Sequence, residues 1–261
     1  MTTPVSSLPV DLSEVRGHIR DMYRDVAREP QGDFHFALGR EVAEHVGYRA
    51  EWLDAAPAEA VESFAGVGCA LDLADLQPGE RVLDLGSGAG TDAFIAAHLV
   101  GPTGRVTGVD MTDAQLRKAR ILRDRAGLDH VSFFEAYVEA QPVQPGTVDV
   151  VISNGVINLV PDKARVFASA AAALRDGGRL AIADIVTARP IKERTRENTQ
   201  LWAACIAGAV PLEDYLDAVQ GAGLTIKTVR ENPAYRFLSS RARETAERYG
   251  VVSVSLLAVK A

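Results

Sequence analysis

From residue 81 onward, short apolar runs alternate with stretches in which apolar positions return every three or four residues. The runs Val82–Leu85, Val106–Val109, Val131–Glu135, Val148–Ile152, Arg179–Ile185, Leu224–Val229 and Val251–Val259 predict seven strands. Several are apolar on both faces, as buried parallel strands are. A helix is predicted from Thr91, where Phe94, Ile95, Ala97 and Leu99 follow a glycine turn. Thr112 and Gln115 have the spacing of a capping box for a helix ending near Gly127. Pro161 is expected to start a helix running to about Arg175, closed by Gly177 and Gly178. Pro211 begins another, with Glu213 and Asp214 in its first turn, where acid complements the dipole. Strands alternating with helices predict an α/β fold, a mostly parallel seven-stranded sheet with helices on both faces.

Two stretches depart from this alternation. Residues 1–75 read as an N-terminal helical extension, with a helix capped by Asp11 and Glu14 and carried by Val15, Ile19, Met22 and Val26. Shorter helical stretches follow near Arg40–His45 and Trp52–Ala56, then a glycine-containing segment leads into the first strand. Residues 188–210 interrupt the alternation before the last strands, charged from Lys192 to Glu197 and apolar from Leu201 to Val210. They are expected to form a lid on the domain 76–261.

Composition narrows the picture. Of 261 residues 47% are hydrophobic, enough for one sizeable core, and no run approaches the roughly 20 apolar residues of a membrane helix. The start Met1-Thr2-Thr3-Pro4 has neither the basic flank nor the apolar segment of a secretory leader. A net charge of −7, with no basic stripe, argues against a nucleic-acid partner. Two cysteines make no disulfide framework, so a cytoplasmic setting is expected. The five histidines have no metal-binding spacing, and no resident metal is predicted.

The chemistry concentrates at Asp84-Leu85-Gly86-Ser87-Gly88-Ala89-Gly90. Strand, glycine turn and helix in this order open a nucleotide-binding unit. The glycines are spaced G-x-G-x-G rather than G-x-G-x-x-G, and Asp84 stands where a pyrophosphate would be repelled. A carboxylate there suits a ligand carrying ammonium and sulfonium charge. Asp110, closing the second apolar run, can accept both hydroxyls of a ribose. Ser153-Asn154 and the stretch Glu135 to Glu139 also fall at strand carboxyl ends, where ligands of open α/β sheets sit.

This arrangement resembles the S-adenosylmethionine site of class I methyltransferases, with their Rossmann-like fold. The resemblance implies a cofactor-binding set of Asp84, Gly86, Ser87, Gly88, Gly90, Asp110, Met111, Val138, Glu139, Ser153 and Asn154. Over residues 34–259 the chain is similar, more narrowly, to the arsenite methyltransferase family. Glu62 to Gly68, Val82 to Asp92, Ile152 to Leu159 and Leu201 to Ala209 carry that similarity. The family implies a small-molecule substrate, trivalent arsenic, bound by cysteine thiolates because a soft metalloid prefers sulfur. Cys205 matches a family cysteine, and Cys69 is the second candidate. Gly155 stands where many relatives carry a further thiol.

That departure keeps an alternative open, an organic O-, N- or C-nucleophile oriented by Asn154, Asn158, Tyr137 or His35. A cofactor-binding sensor without turnover is disfavoured by the lid, which a sensor has no use for. Ser153-Asn154-Gly155-Val156 is not the motif of base-modifying amino methyltransferases. The residues leave the oligomeric state open.

Overall fold

The computed structural model describes residues 12–32, 34, 36–196, 202 and 205–261. Asp11 and His35 lie outside them. Seven strands form one sheet: β1 Arg81–Leu85, β2 Arg105–Asp110, β3 Val131–Glu135, β4 Val148–Asn154, β5 Leu174–Val186, β6 Leu224–Glu231 and β7 Val252–Lys260. Their order is β3-β2-β1-β4-β5-β7-β6. β1 to β5 are parallel, and β7 runs antiparallel between β5 and β6. This is the expected mostly parallel Rossmann-like sheet.

Alternate residues of each strand feed opposite cores, as the pleat requires. Val82, Val106 and Ile152 pack on the helices Thr91–Val100 and Asp113–Ala126, and on residues 43–74 of the extension. Leu83, Leu85, Val109 and Val151 face the helices Lys163–Ala173 and Leu212–Gly221. A third cluster joins the first helix, α1 (Leu12–Arg28), to residues 205–209 and to the helix Ser240–Tyr249.

Several local expectations are corrected. Thr112 precedes its helix as predicted, but its side chain makes no capping bond. Gln115 instead donates to the Tyr23 carbonyl at 2.9 Å and so ties α1 to the sheet domain. The helix expected from Pro161 begins at Lys163, with the Asp162 carboxylate accepting from Arg165 N at 3.0 Å. It ends at Ala173, because β5 starts at Leu174 and carries Gly177 and Gly178 inside it. A further helix, Ser240–Tyr249, is capped by Ser239 and buries only Ala242, Ala246 and Tyr249, too few apolar positions to mark it in the sequence. Of the stretch 188–210 expected as a lid, residues 197–201, 203 and 204 lie outside the described residues, and Trp202, Cys205, Ile206, Ala207 and Ala209 are buried in the third cluster.

Candidate cofactor and acceptor site

The turn after β1 is shaped by glycine. Gly86 has φ +76°, and a Cβ there would lie 2.3 Å from the Val156 side chain. Only hydrogen lets the turn and the loop after β4 approach this closely. The turn hangs from β2, whose Val109 carbonyl accepts from Gly86 N at 2.8 Å and Ser87 N at 2.9 Å. Asp110 completes the hold, its carboxylate accepting from Gly88 N at 3.0 Å and Thr112 N at 2.7 Å. Two bonds to a carboxylate leave further lone pairs for a ligand.

Together these elements line a cleft of about 1050 Å³, partly open to solvent, at the carboxyl ends of the parallel strands. Of the cofactor residues expected from the sequence, Asp84, Gly86, Ser87, Gly88, Asp110, Met111, Val138, Glu139 and Asn154 line it. Gly90 and Ser153 are not among its lining residues. Gly90 caps the helix Thr91–Val100 at φ +96°, and Ser153 is buried with its hydroxyl donating to the Leu85 carbonyl at 2.8 Å. Both shape the turn from behind.

Other lining residues carried no clear signal. Asp92, in the first helical turn after the glycines, accepts from the Tyr48 hydroxyl at 2.5 Å. Its position beside the turn was the one available hint. Arg16, Ile19 and Tyr23 of α1 close the opposite side. Arg16 pairs with Glu139 at 2.5 Å and lies 4.5 Å over the Tyr137 ring. Nothing in the spacing of α1 distinguishes these from core or surface residues.

The cleft is electronegative inside. Burial, then the charges of Asp92 and Asp110, push Asp84 well above the usual carboxylate range. Burial raises Asp92 to about 6 against the lowering effect of its Tyr48 and Asn154 bonds. Asp110 is also raised by burial, with the Thr112 and Gly88 amides opposing. Asp84 Oδ2, Ser87 Oγ and Gln115 Oε1 are buried without a protein partner, and all three residues line the cleft. Orphaned acceptors beside three crowded carboxylates fit a ligand with positive charge and hydroxyl donors. S-adenosylmethionine has both.

The thiols are placed differently. Cys69 is buried in the cluster with Phe64 and Leu71, and Cys205 in the cluster with Trp202 and Ile206. Neither is among the cleft-lining residues, and the two belong to different apolar clusters. Burial, then the Asp92 charge, raises Cys69 to about 12. Burial, then the Asp184 charge, raises Cys205 to about 12. Cys205 nonetheless borders the cleft, its Sγ lying 3.8 Å from the carbonyl of the lining residue Gly155. With φ +60° it is held in a left-handed conformation, shared among the described non-glycine residues only with Asp75. Asn154, expected to face the ligand, spends its amide on Val67 N at 2.8 Å, the Gly68 carbonyl at 2.8 Å and the Tyr48 hydroxyl at 2.9 Å. Among the described residues no three His, Cys, Asp or Glu side chains are grouped to hold a metal.

Comparison with known proteins agrees with this geometry. Residues 76–247 match the family described as a methyltransferase domain. An arsenite methyltransferase of Halobacterium salinarum is 35% identical over 245 residues, 88% of this chain and 62% of that protein. The human arsenite methyltransferase is 37% identical over 152 residues, 55% of this chain and 40% of that protein. The chain thus spans between about two fifths and three fifths of the length of these curated relatives. The crystal structure of an arsenic(III) S-adenosylmethionine methyltransferase from Chlamydomonas reinhardtii superposes with a TM-score of 0.65 at 32% identity, covering 80% of this chain and 71% of that one. A geranyl diphosphate methyltransferase shares the fold, with a TM-score of 0.66 at 19% identity. Glycine turn, acidic cleft and these matches together place the chain in the class I, S-adenosylmethionine-dependent methyltransferases, within the arsenite methyltransferase family.

Proposed function

We propose that the protein transfers a methyl group from S-adenosylmethionine to a small acceptor, and that the acceptor is trivalent arsenic. The observation that carries the arsenic reading is Cys205, a soft ligand held at φ +60° against the Gly155 edge of the cleft. A non-glycine residue in that region is strained by about 1 kcal/mol or more and persists where its surroundings impose it, often at functional sites.

S-adenosylmethionine supplies an electrophilic methyl on a sulfonium sulfur, which keeps the carbon–sulfur electron pair as the methyl leaves. Asp84 and Asp92 would hold the ammonium end, the glycine turn would let the backbone approach it, and Asp110 would take the ribose. Met111 and Val138 would flank the adenine, on the side where Arg16 of α1 pairs with Glu139 and lies over Tyr137. The acceptor approaches from the Gly155 side, where Leu159, Val156 and Tyr23 exclude water. An arsenic lone pair needs no general base, so alignment is the main task of this wall. Cys205 would bind arsenic as a thiolate, its sulfur displacing a hydroxide or thiolate ligand that leaves with the thiol proton as water or free thiol. Both cysteines are free, which fits a reducing cytoplasm.

A second reading keeps the reaction and changes the acceptor to an organic nucleophile. It is favoured by Gly155, which offers no thiol. Its φ of +70° strains any side chain, and a Cβ would lie 3.2 Å from Val67. Incubation with methyl-labelled S-adenosylmethionine, in one arm with arsenite and thiol and in the other with an organic acceptor panel, separates the readings. Label on arsenic supports the first; label on an organic acceptor alone overturns it.

A further inference from the structure

Behind the acceptor side of the cleft lies a buried polar cluster that no step above uses. Lys163 stands in the first turn of the helix Lys163–Ala173, where a cation opposes the dipole, yet it is only 6% exposed. Its Nζ donates to three carbonyls, Asn158 at 3.0 Å, Val160 at 2.7 Å and Gly208 at 2.6 Å. An ammonium has three donors, and all are used. The cation therefore joins the loop after β4 to the segment that carries Cys205.

Asp184 of β5, 1% exposed, holds the same loop from the other side. Its carboxylate accepts from Asn158 N at 2.9 Å, from the Asn158 side-chain amide, from the Tyr215 hydroxyl at 2.7 Å and from Ile185 N at 2.8 Å. Asn158 is fully buried between the two charges, its Oδ1 without a hydrogen-bond partner, and its carbonyl shares the Lys163 ammonium with that of Gly208, three residues beyond Cys205. Well-packed apolar side chains often stabilise such a region as much as buried charges do. What the charges add here is geometry, next to a cysteine held in an unfavourable backbone conformation.

We propose that Lys163, Asp184 and Tyr215 are positioning residues for the acceptor: acting through Asn158, they lock residues 155–160 against residues 205–208 and so fix Cys205 at the Gly155 edge of the cleft. The inference rests on the acceptor-side placement of Cys205 given above, but not on the acceptor being arsenic. It also implies a pH dependence. The charged groups acting on Lys163 are Asp184, Asp162 and Arg196, and burial brings its ammonium down to about 7. Above that value the neutral amine has two donors for three carbonyls, and the lock loosens.

The test uses the full-length protein and two readouts, one of which needs no acceptor. Alkylation of Cys205 and Cys69 by iodoacetamide is followed by peptide mass spectrometry. KM for whichever acceptor the wild type methylates is measured beside cofactor affinity. Lys163→Met should speed Cys205 alkylation at least tenfold, leave Cys69 and cofactor affinity within about twofold, and raise acceptor KM about tenfold. The rise in wild-type acceptor KM above pH 7 should vanish in Lys163→Met. Tyr215→Phe keeps the ring packed on Phe167 and removes one donor to Asp184. It should move both readouts in the same direction about threefold, and it decides the matter should Lys163→Met fail to fold. Unchanged Cys205 alkylation and acceptor KM in the variants that fold would overturn the proposal. So would a parallel rise at Cys69 with loss of cofactor affinity, since that pattern is general loosening. Failure of arsenite as acceptor leaves the alkylation result standing and is thus distinguishable.

Discussion

Three carboxylates meet at the head of the cleft, and their titration gives its sharpest residue-scale consequence. Asp92 is raised by burial to about 6, above its unfolded value. The folded protein therefore binds more protons than the unfolded chain between the ordinary carboxylate range and pH 6. The associated stability is present at low pH and is lost as pH rises through about 6. A cationic ligand relieves this repulsion. S-adenosylmethionine should bind more weakly at pH 5 than at pH 7.5 and should release protons on binding near pH 6, both measurable by calorimetry in buffers of different ionisation enthalpy. Affinity independent of pH over that range would remove Asp92 from the ammonium site. Asp110→Asn should weaken cofactor binding by about 1.5–3 kcal/mol, the scale for a hydrogen bond to a charged group. Because Asp110 also holds Gly88 and Thr112, the turn should loosen too, visible as faster amide exchange at 86–90; normal affinity would count against its ribose role. At this scale the sequence disclosed Asp84, Gly86 and Asp110, because strand end and glycine spacing fix where they go. It hid Lys163, which reads as a surface cation, and Tyr48, whose partner Asp92 is 44 residues away.

Among the elements, α1 matters most for access. It is held over the cleft by the Arg16–Glu139 pair, the Arg16–Tyr137 stack and the bond from Gln115 to the Tyr23 carbonyl. Arg16 is 36% exposed in its side chain and Glu139 10%, so the pair contributes about 1 kcal/mol or less after solvent screening. Arg16→Ala should raise the cofactor dissociation rate a few-fold in stopped-flow measurement, with little change in melting temperature; an unchanged rate would mean that α1 does not gate the cleft. The helix itself was legible from Val15, Ile19 and Val26, but not the surface it covers. The helix Ser240–Tyr249 escaped notice because only Ala242, Ala246 and Tyr249 are buried on it. The capping box at Thr112 failed for a tertiary reason, since Gln115 gains a partner in α1 that no local pattern encodes.

Over the whole molecule, sheet and cofactor cleft follow from one recurring signal, an apolar run ending in a polar or small residue. Cys205 is brought to the cleft edge by long-range contacts, among them that of its Sγ with the carbonyl of Gly155, 50 residues away. The cluster of Lys163, Asp184 and Asn158 supports that contact, and none of these residues announces itself in the chain. If the acceptor is arsenic, Cys205→Ser keeps nearly the same shape and removes the soft ligand. Methyl transfer should then fall at least a hundredfold while cofactor affinity changes less than about twofold. Cys69→Ser, in a different apolar cluster, should cost a few-fold at most. The most direct measurement is transfer of labelled methyl to arsenite by wild type, Cys205→Ser and Cys69→Ser, with cofactor affinity taken in parallel. Transfer by wild type and Cys69→Ser and its loss in Cys205→Ser is the expected result; full transfer to arsenite in Cys205→Ser, or none by the wild type, would contradict the arsenic assignment.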